Sequence, residues 1–422
     1  MEYLVKDFGS YKLHLIKTNK FKTVTVRVSF RSPIVKDEIT TRNVLCEIFT
    51  QSTKDYPSKR SLTIKAQDLY AVDIQTTNSR LGNYITTDFY LSSLHDKYTE
   101  IGNLKKAIQF FSDIIFNPDV ENNKFNKEKL DIVKSFTRNS LNSLKEDSSL
   151  YSLIRMFESL DDLPSSYRMM GYLEDLEKIN EEDLFKYYQK MIKNDLVDIF
   201  VIGDISFNEI TKLIQSNFDF TTYKKNKIPY ILSEKKPRIR RNIVKEVVSN
   251  SQSKISIGCK LCGLSDYERN YPLTLFNIIL GGCSDSKLFK RVREENSLCY
   301  TISSVPNKLD NLIIIRAGID KKNFKKAIEV IDQCVMEMKK GNFSDQDIKT
   351  AKEYYNTALD EVDDSQFRII DNYFLKDIIG TDTISEKRIK MNNVTKEEII
   401  GVAKKMKIDT IFLLEGDNDE KY

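Results

Sequence analysis

Histidine is almost missing from this chain, with His14 and His95 the two examples in 422 residues. They stand 81 positions apart, so neither H-x-x-E-H nor H-E-x-x-H can be written anywhere, and zinc held by two imidazoles on one helix face is excluded. Both read as surface or rim histidines, His14 on the polar side of a strand with Leu13 and Leu15, His95 at a strand end before Asp96. A site gathered from them and distant carboxylates is the remaining histidine-based alternative. Nucleophile signatures are absent as well: there is no Gly-x-Ser-x-Gly elbow and no cysteine in a catalytic context. No phosphate-cradling G-x-x-x-x-G-K-[ST] loop occurs. Apolar runs stay short of the roughly 18 residues a membrane span needs. The opening residues Met1 to Asp7 have neither a basic stretch leading into an apolar one nor an Arg-rich, acid-poor character, so a cytoplasmic location without membrane attachment is expected.

Charge of either sign is not in excess, at 66 Lys and Arg against 62 Asp and Glu. That balance describes an ordinary solvated surface and carries no nucleic-acid footprint. Six scattered cysteines fit a reducing compartment. Cys259 and Cys262 form a lone C-x-x-C inside an alternating strand, so their thiols point to opposite faces and cannot clamp a metal.

The length calls for two or more domains. Lys12 to Ile16 and Val24 to Phe30 read as strands, followed by a helix starting near Arg42. Ala71 to Thr77 and Tyr84 to Leu91 are strand-like, joined through the turn-rich Asn78 to Asn83. Helices follow at Leu104 to Phe116 and about Phe125 to Leu144, Asn180 caps another, and Val197 to Ile202 is an apolar strand. From Asn217 to Asn242 the chain turns basic, with Lys224, Lys225, Lys227, Lys235, Lys236, Arg238, Arg240 and Arg241 among Pro229 and Pro237, which reads as a solvated linker.

The second half repeats the first. Leu104 to Ile108 recurs at Phe324 to Ile328, Ile179 to Leu184 at Val394 to Ile399, and Asp198 to Asp204 at Asp409 to Asp417, with offsets of 220, 215 and 211. A period of that size marks a duplicated domain rather than a solenoid. Each copy mixes antiparallel strands with long helices, giving an α+β class and expected domains at 1–216 and 243–422 about a basic linker, 217–242.

Between the repeats' shared elements lies Gly281 to Ser304. Gly281-Gly282 ends the apolar run Leu273 to Leu280, and Ser284 or Asp285 can cap a short helix with Leu288, Phe289 and Val292 on its apolar face. Arg293 then falls near the helix end and Tyr300 at a strand start, seven positions on.

This stretch resembles the C-terminal half of the pitrilysin/insulinase-like metallopeptidases, in its Leu-Gly-Gly, its Ser286-x-Leu288-Phe289 and its Leu298-Cys299-Tyr300. The resemblance covers essentially the whole chain. It implies two homologous α+β halves, each an antiparallel sheet with packed helices, closing as a clamshell around a peptide. It also implies that Arg293 and Tyr300 bind substrate backbone and help stabilise the tetrahedral intermediate. Active members hold zinc through H-x-x-E-H on a helix of the N-terminal half plus a later glutamate. Aligned on Gln51-Ser52-Thr53, those five positions fall here on Asn43, Val44, Leu45, Cys46 and Glu47, and the later glutamate falls at about Ser135.

The chain thus departs from the family where the metal would sit and agrees with it where substrate is held. Heterodimeric members divide the work in this way. The expectation is a subunit without its own metal, active only in a complex, whose partner carries H-x-x-E-H and the zinc and whose substrate is a peptide or unfolded polypeptide. The alternative is a stand-alone peptide-binding or scaffold protein, with Arg293 and Tyr300 as backbone-binding groups only. An independently active metallopeptidase is a third reading, and the missing ligands argue against it.

Overall fold

The alternating apolar residues form strands as expected, and the pleat decides which side chains each sheet can bury. In the computed structural model, which describes residues 1–220, 227–249 and 252–417, the first half runs through β1 (Glu2–Asp7), β2 (Lys12–Lys17) and β3 (Thr23–Pro33) to helices α1 (Ile39–Ile48) and α2 (Lys59–Asp68). A hairpin follows, β4 (Asp73–Leu81) and β5 (Tyr84–Leu94), then α3 (Asn103–Phe116), the short ribbon β6 (Val120–Glu121) and β7 (Lys124–Phe125), and α4 (Lys127–Asn142). Next come α5 (Ser148–Leu160), α6 (Leu173–Lys178), α7 (Glu181–Asn194), β8 (Leu196–Gly203) and α8 (Phe207–Asn217). The second half has β9 (Asn242–Val248), β10 (Ser253–Leu261), α9 (Asp266–Asn270), α10 (Pro272–Asn277), β11 (Cys299–Asn307) and β12 (Leu312–Ile319). It closes with α11 (Phe324–Lys340), α12 (Asp345–Asp360), α13 (Gln366–Ile379), α14 (Ile384–Asn392), α15 (Lys396–Lys405) and β13 (Met406–Gly416). Lys224 and Lys225 of the basic stretch lie outside the described residues. No helix among the described residues is long and apolar enough to cross a membrane.

The strands make two mixed sheets, ordered β1-β2-β8-β3-β5-β4 and β9-β13-β10-β12-β11. Apart from β1 the orders correspond strand for strand, and in each the one parallel pair, β2 with β8 and β9 with β13, sits at the same place. Duplication is thus written in topology as well as in sequence. Helix starts agree with their caps: the Asn180 side chain accepts from the amides of Glu182 and Asp183, and Thr395 forms a capping box with Glu398. One strand is longer than its residues suggested, since β4 continues through Asn78 to Leu81 and leaves Gly82 and Asn83 as the turn.

Two compact units result, and each borrows a helix from the opposite half of the sequence. One comprises residues 1–142, 168–229 and 362–381, the other 143–167, 230–361 and 382–422. Contiguous boundaries at 216 and 243 do not express this exchange. In the first unit, Leu13, Val26, Val28 and Phe30 pack under α1, α3, α4 and α7, while α13 covers the other face with Ile369, Ile370 and Phe374 against Ile16, Phe200 and Ile202. In the second unit, α5 takes the corresponding place. Ser152 hydrogen-bonds Ser256 at 2.9 Å, and a Cβ on Gly258 would come 2.8 Å from Met156 Sδ and 3.0 Å from Leu160 Cδ1.

That covering helix overturns the reading of His14 as a rim residue. The imidazole is fully buried, because the polar side of β2 faces α13 rather than water. Tyr3 hydroxyl lies 2.7 Å from Nδ1, and Nε2 lies 2.9 Å from Asp198 Oδ1. Arg31 supplies the second partner of Asp198. His95 stays half-exposed, its Nδ1 accepting from the Lys97 amide at 2.9 Å.

Candidate functional site

The segment from Asn277 to Ser304 lies wholly in the second unit. After α10 the chain widens into π-helical turns over Ile278–Gly282, breaks at Cys283, and resumes as a helix that is π-helical over Phe289–Glu295. The second helix starts at Lys287, two residues beyond the expected cap, because Ser284 and Asp285 form an exposed turn leading into it. Leu288 and Val292 are fully buried as the apolar spacing requires.

Gly281 fixes how closely this helix pair approaches the sheet. A Cβ there would stand 2.6 Å from Ser304 Oγ and 2.8 Å from Leu288 Cδ1, and Ser304 is itself held by Asn277, whose Oδ1 accepts its hydroxyl at 2.8 Å. Gly281→Ala gains about 0.4–1 kcal/mol by restricting the unfolded chain and loses about 1–3 kcal/mol to overpacking. A net loss of roughly 1–2 kcal/mol is expected in urea denaturation, and an unchanged midpoint would show that Ser304 simply swings away.

Past the helix, Ser297 takes φ +50°, a left-handed turn costly for a residue with a Cβ, and the Leu298 amide reaches back 2.9 Å to the Val292 carbonyl. This closure places Arg293 and Tyr300 on either side of one tight corner. Arg293 is exposed and its guanidinium stacks 4.6 Å from the Phe289 ring centroid. Tyr300 sits at the point where the β11–β12 register slips between Cys299 and Thr301, a bulge that leaves one residue unpaired and re-aims its side chain. Tyr300 is 63% exposed. Among the described residues neither side chain is held by a hydrogen bond or ion pair, so both stay available to a ligand. Cys299, between them, has its thiol pushed up to about 11 by burial, with the Arg293 charge acting against that; the guanidinium's field therefore reaches the start of β11.

The degenerate metal positions lie in the first unit. α1 and α4 pack together, so the backbone brings Asn43, Cys46, Glu47 and Ser135 onto neighbouring helices. The side chains do not fit zinc. Asn43 spends its amide on the Met169 carbonyl at 2.7 Å and accepts from Asn78 at 3.0 Å. Cys46 is buried, and burial pushes its thiol up to about 12, far from the thiolate a metal requires. Glu47 and Ser135 point to solvent. The preceding residue, Arg42, pins α1 to the sheet instead: its guanidinium, 1% exposed, donates to Thr87, Ser32, the Phe30 carbonyl and Asp195 at 2.7–3.1 Å. Cys259 is fully buried and Cys262 half-buried.

Beside α1 runs β4, the edge of the first sheet. It pairs with β5 alone, and exposed Asp73, Gln75, Thr77 and Ser79 alternate with half-buried residues along it. The sequence reading passed over this open edge, although the almost wholly polar run Asp73 to Arg80, with Ile74 its one apolar residue, was the signal for it.

Residues 178–355 match the family described as peptidase M16 inactive domain. The chain is thus similar over nearly its whole length to the insulinase-like peptidase M16 group, and to members of it described as inactive. It is 28% identical over 418 residues to the probable inactive metalloprotease YmfF of Bacillus subtilis (strain 168), covering 98% of this chain and 97% of that protein. A conserved protein from Enterococcus faecalis V583 has the same fold, with TM-score 0.92 and 26% identity over 99% of this chain and 100% of that one. The peptidase M16 inactive domain from Pseudomonas fluorescens covers all of both chains with TM-score 0.81 at 13% identity, a likeness of fold.

Proposed function

We propose that the chain is the metal-free subunit of a cytoplasmic heterodimeric zinc peptidase, contributing Arg293 and Tyr300 to substrate bound at the partner's zinc. The observation that carries this reading is an asymmetry. The Arg293–Tyr300 corner is exposed and unencumbered, while the α1 positions that would hold metal are occupied by an engaged amide, a buried thiol and an exposed carboxylate. A guanidinium and a phenol aimed at a developing oxyanion lower its energy without generating a nucleophile. The partner must therefore bring H-x-x-E-H and zinc.

Purification of the tagged chain from its native cells, followed by identification of any companion at one-to-one stoichiometry, tests the pairing. In the reconstituted pair, Arg293→Ala and Tyr300→Phe should each lower kcat by on the order of 10²-fold, the scale of one lost oxyanion donor, with little change in thermal unfolding because both side chains are exposed. Unchanged turnover would remove Arg293 and Tyr300 from the mechanism.

The open edge of β4 favours a second reading, a stand-alone protein that holds an extended peptide by strand addition and does not cut it. A chain that purifies alone or with itself, and binds peptide without cleavage, would select that reading over the first.

A further inference from the structure

The second sheet has an uncovered part on its α5 side. α5 packs over β13, β10 and β9, and beyond its first turn a cleft of about 170 Å³ opens, lined from Ser149, Lys254, Ser256, Thr301, Ser303, Arg316 and Gly318. Register explains why these residues meet. Thr301, Gly318 and Lys254 are directly cross-strand on β11, β12 and β10, and Ser303, Arg316 and Ser256 form the adjacent row. Gly318, lacking a side chain, leaves room beside Thr301 and Lys254 that the Gln252 side chain enters, its Oε1 3.1 Å from where a Cβ would stand. Through the bulge, Tyr300 and Thr301 are both exposed while Cys299 and Ile302 are buried, so Tyr300 borders the same face.

The two cations of this cleft lack carboxylate partners. Arg316 donates to the Ser149 carbonyl at 3.1 Å and Lys254 to the Gln252 side chain, and no carboxylate of the described residues lies within ion-pair distance of either. Behind the Arg293 helix a larger cleft, about 510 Å³, shows the contrast: its Lys287 and Arg291 are both bound to Glu337 at 2.9 Å. Burial holds the Lys254 ammonium below its usual range; Asp147 opposes that shift and Arg316 adds to it. An incoming anion would offset the cost of holding the charged ammonium there and screen it from Arg316.

We infer that the Lys254–Arg316 cleft is a carboxylate subsite for the peptide whose backbone meets Tyr300, taking either an acidic side chain or a free C-terminus. The inference rests on the peptide-holding reading above and adds a substrate class to it. The volume is several times the roughly 30 Å³ a water takes in the liquid, room for a carboxylate with its nearest chain atoms. Thr301 and Ser303 hydroxyls line the same recess and can donate to the oxygens that the cations leave free.

Four pools of decapeptides randomised over Ala, Ser, Val, Leu and Phe, tagged with a neutral fluorophore, separate the possibilities. One pool has a central Glu and an amidated end, one a central Gln and a free C-terminus, one both carboxylates, and one neither. Binding is read by anisotropy to the chain as it purifies, with any companion that stays bound. At least one carboxylate pool should bind about ten-fold or more tightly than the carboxylate-free pool, and which one identifies the source of the group. Arg316→Gln and Lys254→Gln should each remove most of that preference while leaving the carboxylate-free pool unaffected. Equal affinity for all four pools, or a preference that survives both substitutions, overturns the subsite and leaves peptide holding intact. If no pool binds, peptide holding itself falls, and the subsite with it.

Discussion

Produced as two polypeptides, residues 1–220 and 227–422, the protein is expected to fold only when both are present. Each piece lacks the helix that covers its own sheet. Without α13, the first sheet exposes Ile16, Phe200 and Ile202, which are fully buried in the intact chain. Withdrawing Ile369, Ile370 and Phe374 from their site forfeits roughly 1.5–3 kcal/mol per side chain, an upper estimate, against a total stability on the order of 5–15 kcal/mol. Polar losses add to this. Gln366 accepts from Thr23 at 2.6 Å and Thr25 at 2.9 Å, Asp371 takes a hydrogen bond of 2.8 Å from buried Arg27, and Phe374 lies 4.0 Å from the same guanidinium.

The second sheet faces the same deficit. Without α5 it loses Met156 and Leu160 from the surface shaped by Gly258, and Glu246 loses Arg155 and Tyr151, both at 2.8 Å. Separate expression should therefore give insoluble or non-cooperatively melting pieces, and co-expression a soluble one-to-one complex with a single sharp transition. Two fragments that each unfold cooperatively on their own, near the melting temperature of the whole chain, would show that the sequence halves are the folding units after all.

The same exchange marks the boundary of what the sequence made legible. The first-half strands, the helix capped at Asn180 and the duplication are local or periodic signals, and the fold carries them, with β4 longer than read. What covers the polar face of a sheet is not local. Thr25, Arg27, Ser29 and Arg31 alternate with Val24, Val26, Val28 and Phe30, a pattern that ordinarily marks a solvated face, yet all four are buried, because a helix more than three hundred positions away lies on them. His14 was misjudged for this reason. Tyr300's bulge depends on how β11 slips against β12, and the meeting of Lys254 with Arg316 depends on the β10–β12 register; neither pairing leaves a mark in the residues themselves.

Removing the carboxylate of Asp198 should be among the most damaging single changes available. Asp198 is 3% exposed and joins His14 to Arg31, itself 3% exposed. Asp198→Ala takes the carboxylate away from a buried guanidinium, and breaking one side of a buried pair costs about 3–5 kcal/mol. The pH dependence follows from the same contacts. Burial alone would raise this carboxyl, but the Arg31 charge and the hydrogen bonds from His14 and Arg31 outweigh it and hold the group well below the usual carboxylate range. A depressed folded-state value means that the unfolded chain takes up the proton first as pH falls. The stabilisation is therefore complete above about pH 5 and fades below about pH 4, the ordinary aspartate value, as protonation increasingly favours the unfolded chain. In urea titrations from pH 7 to pH 3, the isosteric Asp198→Asn variant should start less stable and show a shallower acid limb than the parent, the two curves converging at the acid end. Parallel limbs, or an Asp198→Ala protein within about 1 kcal/mol of the parent at pH 7, a loss ordinary for any substitution, would mean that Arg31 is held as well by its other contacts and that the Asp198 carboxylate is not what stabilises this buried network.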